Sequence, residues 1–132
     1  MFNKLLGRFS KDLGIDLEVK EASINNGIWE ISETTASFLN SSAKPGEGGN
    51  IVIYGHNKKD ILGKLIGNIK TGMEIQIFSQ NGTFFRYETI EIKTVTPNEI
   101  GVVLPTDYEI LTLYTCTGLL DSKRLIIKAI PI

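Results

Sequence analysis

The chain has 132 residues, of which 42% are hydrophobic and 22% are charged, and this composition is typical of one globular domain with its own core. Fourteen basic residues nearly balance fifteen acidic ones, which argues against a nucleic-acid partner and against electrostatic binding to an anionic membrane. The single cysteine excludes an internal disulfide, and one cysteine with one histidine falls short of a structural zinc site.

The first residues carry apolar side chains at helical spacing, which predicts a helical segment within residues 1–13. Two interpretations of this segment stay open: a short helix that caps the end of a barrel, or an amphipathic helix on a membrane surface. No run in the chain approaches the roughly 18 apolar residues of a membrane span, and the segment lacks the apolar region of a signal peptide. We therefore expect the folded domain at residues 14–132.

From residue 14 onward the apolar pattern has mostly period two, which predicts β-strands. The dipeptides Asn26-Gly27 and Asn81-Gly82 are signals for hairpin turns. About eight strands at this spacing indicate an all-β barrel or sandwich in one domain. The expected strands are 15–22, 28–31, 50–54, 73–79, 83–95, 111–116 and 124–130.

Two short stretches between the strands show other patterns. Residues 35–39 are expected to form a helical turn, and residues 60–66 a short helix with Asp60 as its N-cap. Residues 41–49 and 97–105 are rich in turn formers and are expected to be irregular. Strand 50–54 is a continuous apolar run, which is typical of a strand that is buried on both faces.

The only cysteine, Cys116, ends a predicted strand and directly precedes a loop. Alternation along that strand places Thr112, Tyr114 and Cys116 on its more polar face. A free cysteine in an apolar strand is most often a small buried hydrophobe. A strand end beside a loop, however, holds a side chain rigidly while leaving it accessible, so a nucleophile is the alternative interpretation.

The only histidine, His56, follows a predicted buried strand, and Arg124 begins the last strand. Each has an ordinary interpretation: a hydrogen-bonded histidine and a solvated charge. Together with Cys116 they have complementary chemistry. A thiol has a pKa of about 8.5, so its attack at neutral pH needs a base or a cation. A guanidinium can then stabilise the oxyanion, and an imidazolium can protonate the leaving amine.

Several segments of the chain resemble the sortase family of cysteine transpeptidases. Residues 112–116 read Thr-Leu-Tyr-Thr-Cys and are followed by Arg124, which is similar to the family's Thr-Leu-x-Thr-Cys strand with an arginine on the next strand. Residues 45–56 resemble the segment that leads to the family's histidine, and residues 96–100 resemble a segment before its catalytic strand. The likeness runs in order over residues 13–130.

This resemblance implies an eight-stranded sortase-type β-barrel with one or two short helices. It implies that Cys116 attacks the threonine carbonyl of a C-terminal sorting signal similar to Leu-Pro-x-Thr-Gly. His56 would act as acid and base for the amines, and Arg124 would stabilise the oxyanion. The residues expected to contact the peptide are Tyr54, Tyr114, Thr115 and Thr117.

The resemblance also implies the partners of the reaction. These are the sorting-signal peptide of a surface protein and an amine of a cell-wall precursor or of a pilin lysine. No cofactor follows, and because the acidic cluster of some class A sortases is not found, we expect no calcium or other metal. The family's usual membrane segment is not found either, so a position at the extracytoplasmic face of the membrane is inferred from the resemblance alone.

The sortase subclass, the exact signal and the second substrate stay open. Two alternatives to a transpeptidase also stay open. One is a cysteine peptidase of the same fold in which water resolves the acyl enzyme. The other is a barrel that binds peptides without catalysis.

Overall fold

The computed structural model describes residues 4–9, 13, 15–79 and 82–132, with the backbone alone at residues 4–9 and 15. Three 3₁₀ helices, Gly63–Leu65, Ile100–Val103 and Leu119–Asp121, lie in the loops. The strands in chain order are β1 Lys4–Phe9, β2 Ile15–Ala22, β3 Ile24–Asn25, β4 Ile28–Trp29, β5 Ala36–Leu39, β6 Asn50–Gly55, β7 Glu74–Ser79, β8 Phe84–Val95, β9 Ile110–Thr117 and β10 Lys123–Pro131.

Eight of these strands close into a barrel in the order β1-β2-β5-β6-β9-β10-β8-β7, and β7 pairs back onto β1. The pairs β2/β5 and β6/β9 are parallel, and the other neighbours are antiparallel. Strands β3 and β4 form a separate small hairpin. The predicted all-β, eight-stranded barrel is therefore confirmed. The predicted pairing of β7 with β8 is also confirmed, although Asn81 of its turn lies outside the described residues.

Strand β6 is buried on both faces, as its apolar run predicted. Ile51 and Ile53 belong to the main core inside the barrel. Val52 and Tyr54 belong to a second cluster on the outer face, where Trp29 packs against them. Burying one such aliphatic or aromatic side chain contributes roughly 1.5–3 kcal/mol, so β6 is held firmly from both sides.

Two segments that were predicted to be helical are strands. Residues 4–9 form β1, which pairs with β2 on one side and with β7 on the other and so closes the barrel. Residues 36–39 form β5 between β2 and β6. A short isolated helix is marginal in water, whereas two open strand edges offer a full ladder of hydrogen bonds. The other residues of the predicted N-terminal helix, 1–3 and 10–12, lie outside the described residues.

The predicted helix at residues 60–66 is a set of turns followed by the 3₁₀ helix Gly63–Leu65, which has no side-chain cap. The chain folds back here, because the backbone N–H of Leu62 donates to the carbonyl of His56 over 3.2 Å. Gly63 comes so close to this turn that a Cβ atom would lie 2.2 Å from the carbonyl oxygen of Asn57. The resulting compact turn fixes the backbone just after His56.

Candidate active site

Three neighbouring strands bring the predicted catalytic residues to one end of the sheet. Strand β9 lies between β6 and β10. In the observed register, Cys116 lies opposite Arg124 on β10, and Thr115 lies opposite Gly55 on β6. His56 follows Gly55, so continuing the parallel register places it beside Cys116. Opposite residues on antiparallel strands have Cβ atoms about 4.5–5.5 Å apart, so Cys116 and Arg124 are direct neighbours. Cys116 thus lies on the strand between the one that leads to His56 and the one that carries Arg124.

Cys116 lies on the outer face of the barrel. Leu111 and Leu113 of the same strand point into the main core, whereas Tyr114 packs in the outer cluster. Because side chains alternate along a strand, Cys116 shares the outer face with Tyr114. Its side chain is partly exposed. The thiol is therefore accessible and is not part of the barrel core.

A groove of about 310 Å³ lies over this face. This volume is at the lower end of the ~300–1,000 Å³ of small-ligand sites. The lining of the groove is mainly apolar. It also includes the thiol of Cys116, the hydroxyl of Thr115 and the guanidinium of Arg124. The rest of the lining comprises the aromatic residues Trp29, Tyr54 and Tyr114, the aliphatic residues Ile31, Pro97, Ile100 and Val103, and Gly55.

The aromatic part of the groove is held rigidly. Trp29 meets Tyr54 edge-on with ring centroids 4.9 Å apart, and it stacks on Tyr114 at 6.2 Å. The Tyr54 hydroxyl donates a short hydrogen bond to the carbonyl of Glu30. Burial, with a smaller contribution from the Glu30 charge, raises the pKa of Tyr54 to about 12, so this hydroxyl is a neutral donor at physiological pH. The aromatic surface is thus preorganised for apolar groups.

Thr115 joins the strand ends that carry Cys116 and His56. Its buried hydroxyl donates to the carbonyl oxygen of Gly55 over 2.8 Å. Of the residues expected to contact a peptide, Tyr54, Tyr114 and Thr115 line the groove. Thr117 lies one step beyond Cys116, in register with Lys123, and is not one of the lining residues.

The Arg124 side chain is fixed by the loop that precedes it. Its Nη1 donates to the carbonyl oxygens of Asp121 and Lys123 over 2.8 and 3.0 Å. Leu120 and Asp121 in this loop adopt left-handed backbone conformations, with φ of 54° and 58°. Such conformations are costly for residues with a Cβ and are concentrated at functional sites. Both bonds come from Nη1, which sets the plane of the guanidinium at the groove.

The loop after β6 contacts the same loop. The Asn57 side chain donates to the Asp121 carboxylate over 2.9 Å. This bond connects the residue that follows His56 with the loop that holds Arg124. The ends of β6 and β10 are therefore connected through their loops as well as through β9, which lies between them.

His56 has one ring nitrogen that faces inward. The side chain is 31% exposed, but its Nε2 atom is buried and makes no well-aligned hydrogen bond. The carboxylate atom Oε1 of Glu33 lies 3.4 Å from Nε2, a separation that suits an ion pair. The other Glu33 oxygen accepts from Lys58 Nζ over 2.8 Å. Lys58 chiefly, and His56 to a lesser degree, lower the pKa of Glu33, so its carboxyl is ionised at neutral pH.

A buried polar network supports the aliphatic part of the groove. Asn50 Nδ2 donates to the carbonyls of Val102 and Leu104 over 3.1 and 2.9 Å. Thr112 in turn donates to Asn50 Oδ1 over 2.6 Å. These bonds anchor the 3₁₀ helix Ile100–Val103, whose first and last residues line the groove.

The sequence alone did not single out Trp29, Glu33 or Asn57 as members of the site. Trp29 was expected only as a strand residue after the Asn-Gly turn, and its place over β6 depends on how the small hairpin folds back. Glu33 and Asn57 reach the site through side-chain contacts across loops, for which local periodicity gives no signal.

Among the described residues, no group of three or more histidine, cysteine, aspartate or glutamate side chains could hold a metal ion. The same part of the chain has no helix with the length and apolar character needed to cross a membrane.

The structure is thus a closed barrel in which Cys116 lies opposite Arg124 beside an apolar groove, on the strand next to the one that leads to His56. The family model for the Sortase domain matches residues 11–132. The chain therefore belongs to the sortase family, whose members are generally cysteine transpeptidases.

Solved sortase structures are similar over nearly the whole chain. A Clostridium perfringens sortase D5 transpeptidase is 27% identical with a TM-score of 0.81, over 98% of this chain and 79% of its own. Sortase A from Corynebacterium diphtheriae, a lid mutant, is 23% identical with a TM-score of 0.80, over 98% and 70%. A pilus-related sortase C of group B Streptococcus is 21% identical with a TM-score of 0.80, over 98% and 67%. Comparison with curated protein sequences gave no significant match.

Proposed function

We propose that this protein is a cysteine transpeptidase that cleaves a C-terminal sorting signal similar to Leu-Pro-x-Thr-Gly and joins the acyl product to an amine. The observation that carries the proposal is the strand register, in which Cys116 lies opposite Arg124 and one step from the Gly55–Thr115 pair that precedes His56. The three side chains have the chemistry that amide exchange requires. Cys116 and Arg124 line the groove, and His56 directly follows Gly55, which also lines it, although His56 itself is not one of the lining residues.

In the first half of the reaction, the Cys116 thiolate attacks the threonine carbonyl while His56 carries the proton. A carbon–sulfur bond forms, and Arg124 stabilises the oxyanion of the tetrahedral intermediate. The carbon–nitrogen bond then breaks, and the imidazolium gives its proton to the leaving amine. The products of this half are a thioester on Cys116 and the free C-terminal fragment.

In the second half, an incoming amine attacks the thioester. His56 accepts the proton of this amine, a new carbon–nitrogen bond forms, and the carbon–sulfur bond breaks. The thiolate and the imidazolium are restored, so the cycle needs no oxidant, reductant or cofactor.

The groove supports a peptide as the first substrate. Its aromatic and aliphatic lining suits the leucine and proline side chains that precede the reacting threonine. For the second substrate we propose an amine of a cell-wall precursor or a pilin lysine. That choice, and a position at the extracytoplasmic face of the membrane, rest on the family and not on a feature of the groove.

Product analysis tests the proposal. The protein is incubated with a panel of sorting-signal peptides, with and without triglycine or a lysine-bearing peptide as acceptor, and the products are identified by mass spectrometry. We expect a product joined to the acceptor, and no product from Cys116→Ala. Release of the free acid alone, even with acceptor in excess, would contradict a transpeptidase and favour a peptidase. No cleavage of any peptide would contradict catalysis altogether and favour a peptide-binding barrel.

A further inference from the structure

The proposed general base has a charged neighbour that lies outside the cysteine, histidine and arginine set. His56 Nε2 is buried without a hydrogen bond, and Glu33 Oε1 lies 3.4 Å away. In unliganded enzymes, catalytic hydrogen bonds are often long and shorten once the substrate is bound. A small movement of either side chain would turn this contact into a charge-assisted hydrogen bond.

Glu33 is held in place through both its side chain and its backbone. Its Oε2 and its backbone carbonyl both accept hydrogen bonds from Lys58 Nζ, over 2.8 and 3.3 Å. Ser32 Oγ accepts from the backbone N–H groups of Thr34 and Thr35 over 3.2 and 3.0 Å, which folds the chain tightly around Glu33. The carboxylate is therefore presented to the imidazole by a fixed turn, although the Glu33 side chain is 71% exposed.

We propose that Glu33 is a positioning residue for His56, and that Lys58 holds the Glu33 carboxylate in the position from which it acts. This inference rests on the proposed function. The carboxylate would hold the ring through Nε2 and leave Nδ1 to exchange protons with the amines.

Other charged or titratable groups lie on the elements around His56. Cys116 is on the adjacent strand β9, Arg124 is one strand further on β10, and Asp121 bonds to Asn57, the residue after His56. Lys59 and Asp60 follow Lys58 on the exposed part of the same turn. All of these groups are unchanged in variants of Glu33 and Lys58, so differences between the variants report the proposed interaction.

The test begins with NMR on the free protein. Because His56 is the only histidine, its imidazole signals can be observed without any substrate. We expect these signals, recorded at one fixed pH, to change position in Glu33→Gln and, by less, in Lys58→Met, because both substitutions disturb the carboxylate beside Nε2. Imidazole signals in Glu33→Gln that match those of the wild type would overturn the proposal.

The second measurement is the steady-state kinetics of a cleaved peptide. We expect kcat to fall severalfold in Glu33→Gln with little change in KM. Glu33→Asp should recover part of kcat. The control is Glu91→Gln, which breaks an exposed pair with Lys93 on β8 and should change neither the imidazole signals nor the rate.

The outcomes separate this proposal from the proposed function. If the imidazole signals change in Glu33→Gln but its kcat matches that of the wild type, Glu33 does not position the base and the proposal fails. If the wild type turns over no peptide, the proposed function fails, and the NMR signals alone decide whether the pairing of Glu33 with His56 exists.

Discussion

The Thr115 hydroxyl donates to the carbonyl oxygen of Gly55 over 2.8 Å, and this buried bond joins the strand end of the proposed nucleophile to the strand end of the proposed base. The residues that follow these two in the chain are Cys116 and His56. The spacing of thiol and imidazole thus depends on a side chain that need not touch the reacting atoms.

Thr115→Val keeps the shape of the side chain and removes this hydrogen bond. The loss of a buried hydrogen bond costs about 1–3 kcal/mol, so we expect the free energy of unfolding to fall by that amount. We also expect kcat to fall more than KM rises, because the groove lining is kept. Urea denaturation and peptide kinetics measure the two effects. The control Thr115→Ser retains the hydroxyl and should keep most of kcat; equal losses in both variants would contradict the role of the bond.

Arg124→Lys is expected to lose most of the rate while staying folded. Lysine keeps the charge, but an ammonium cannot reproduce the planar guanidinium that the carbonyls of Asp121 and Lys123 orient. Removing one oxyanion donor typically costs about 10²–10³-fold in kcat, and we expect a loss of at least about 10²-fold here. Circular dichroism should show an unchanged fold. Turnover close to that of the wild type would refute the role of Arg124.

Asn50→Ala is expected to loosen the aliphatic part of the groove. The substitution leaves the carbonyls of Val102 and Leu104 without their buried donor, so stability should fall by roughly 1–3 kcal/mol. Because Ile100–Val103 lines the groove, KM for the peptide should rise more than kcat falls. The control is Asn68→Ala, which removes an exposed bond to the carbonyl of Lys64 and should leave KM unchanged. Equal KM values in the two variants would count against the anchoring role.

The stability of the protein should fall at alkaline pH through Tyr54. Burial raises the pKa of Tyr54 from about 10 to about 12 in the folded protein. As the pH rises, the unfolded chain therefore loses this proton before the folded protein does. The contribution to the free energy of unfolding is complete below pH ~10 and is lost as the pH rises to about 12. The loss amounts to at most about 1.4 kcal/mol per pH unit.

Tyr54→Phe tests this dependence through its slope, since the variant also lacks the hydrogen bond to Glu30. Its unfolding free energy should vary less steeply with pH between 10 and 12. Some dependence of the unfolding free energy on pH is expected to remain in the variant because of Tyr87. The pKa of Tyr87 is also raised, by its burial and by Glu109. Identical slopes in the variant and the wild type would contradict the assignment to Tyr54.

The strands around Cys116 could be predicted because their signal is local. Alternation placed Tyr114 and Cys116 on one face, and the structure has them on the outer face of β9. The apolar run before His56 predicted a doubly buried strand, which β6 is. By contrast, the helical spacing at residues 4–9 was misleading, because β1 is stabilised by the edges of β2 and β7, which are distant in the sequence.

The rest of the site depends on contacts between loops that sequence periodicity does not encode. The bond of Asn50 to Val102 spans 52 residues, and that of Asn57 to Asp121 spans 64. Glu33 had no signal of its own, since an exposed glutamate in a turn is ordinary until the imidazole lies beside it. The proposed catalytic residues follow from a sequence motif, whereas the contacts that support them can be identified only from the fold.

The most direct test of the central claim is intact-mass spectrometry of the protein after brief exposure to a sorting-signal peptide without acceptor. Because Cys116 is the only cysteine, a thioester adduct can form on no other residue. We expect a mass increase equal to the acyl part of the peptide through its threonine, which disappears on addition of an amine and is not formed by Cys116→Ala. Two results would contradict Cys116 as the nucleophile. One is cleavage of the peptide by Cys116→Ala at the wild-type rate, and the other is cleavage by the wild type without any adduct on the thiol.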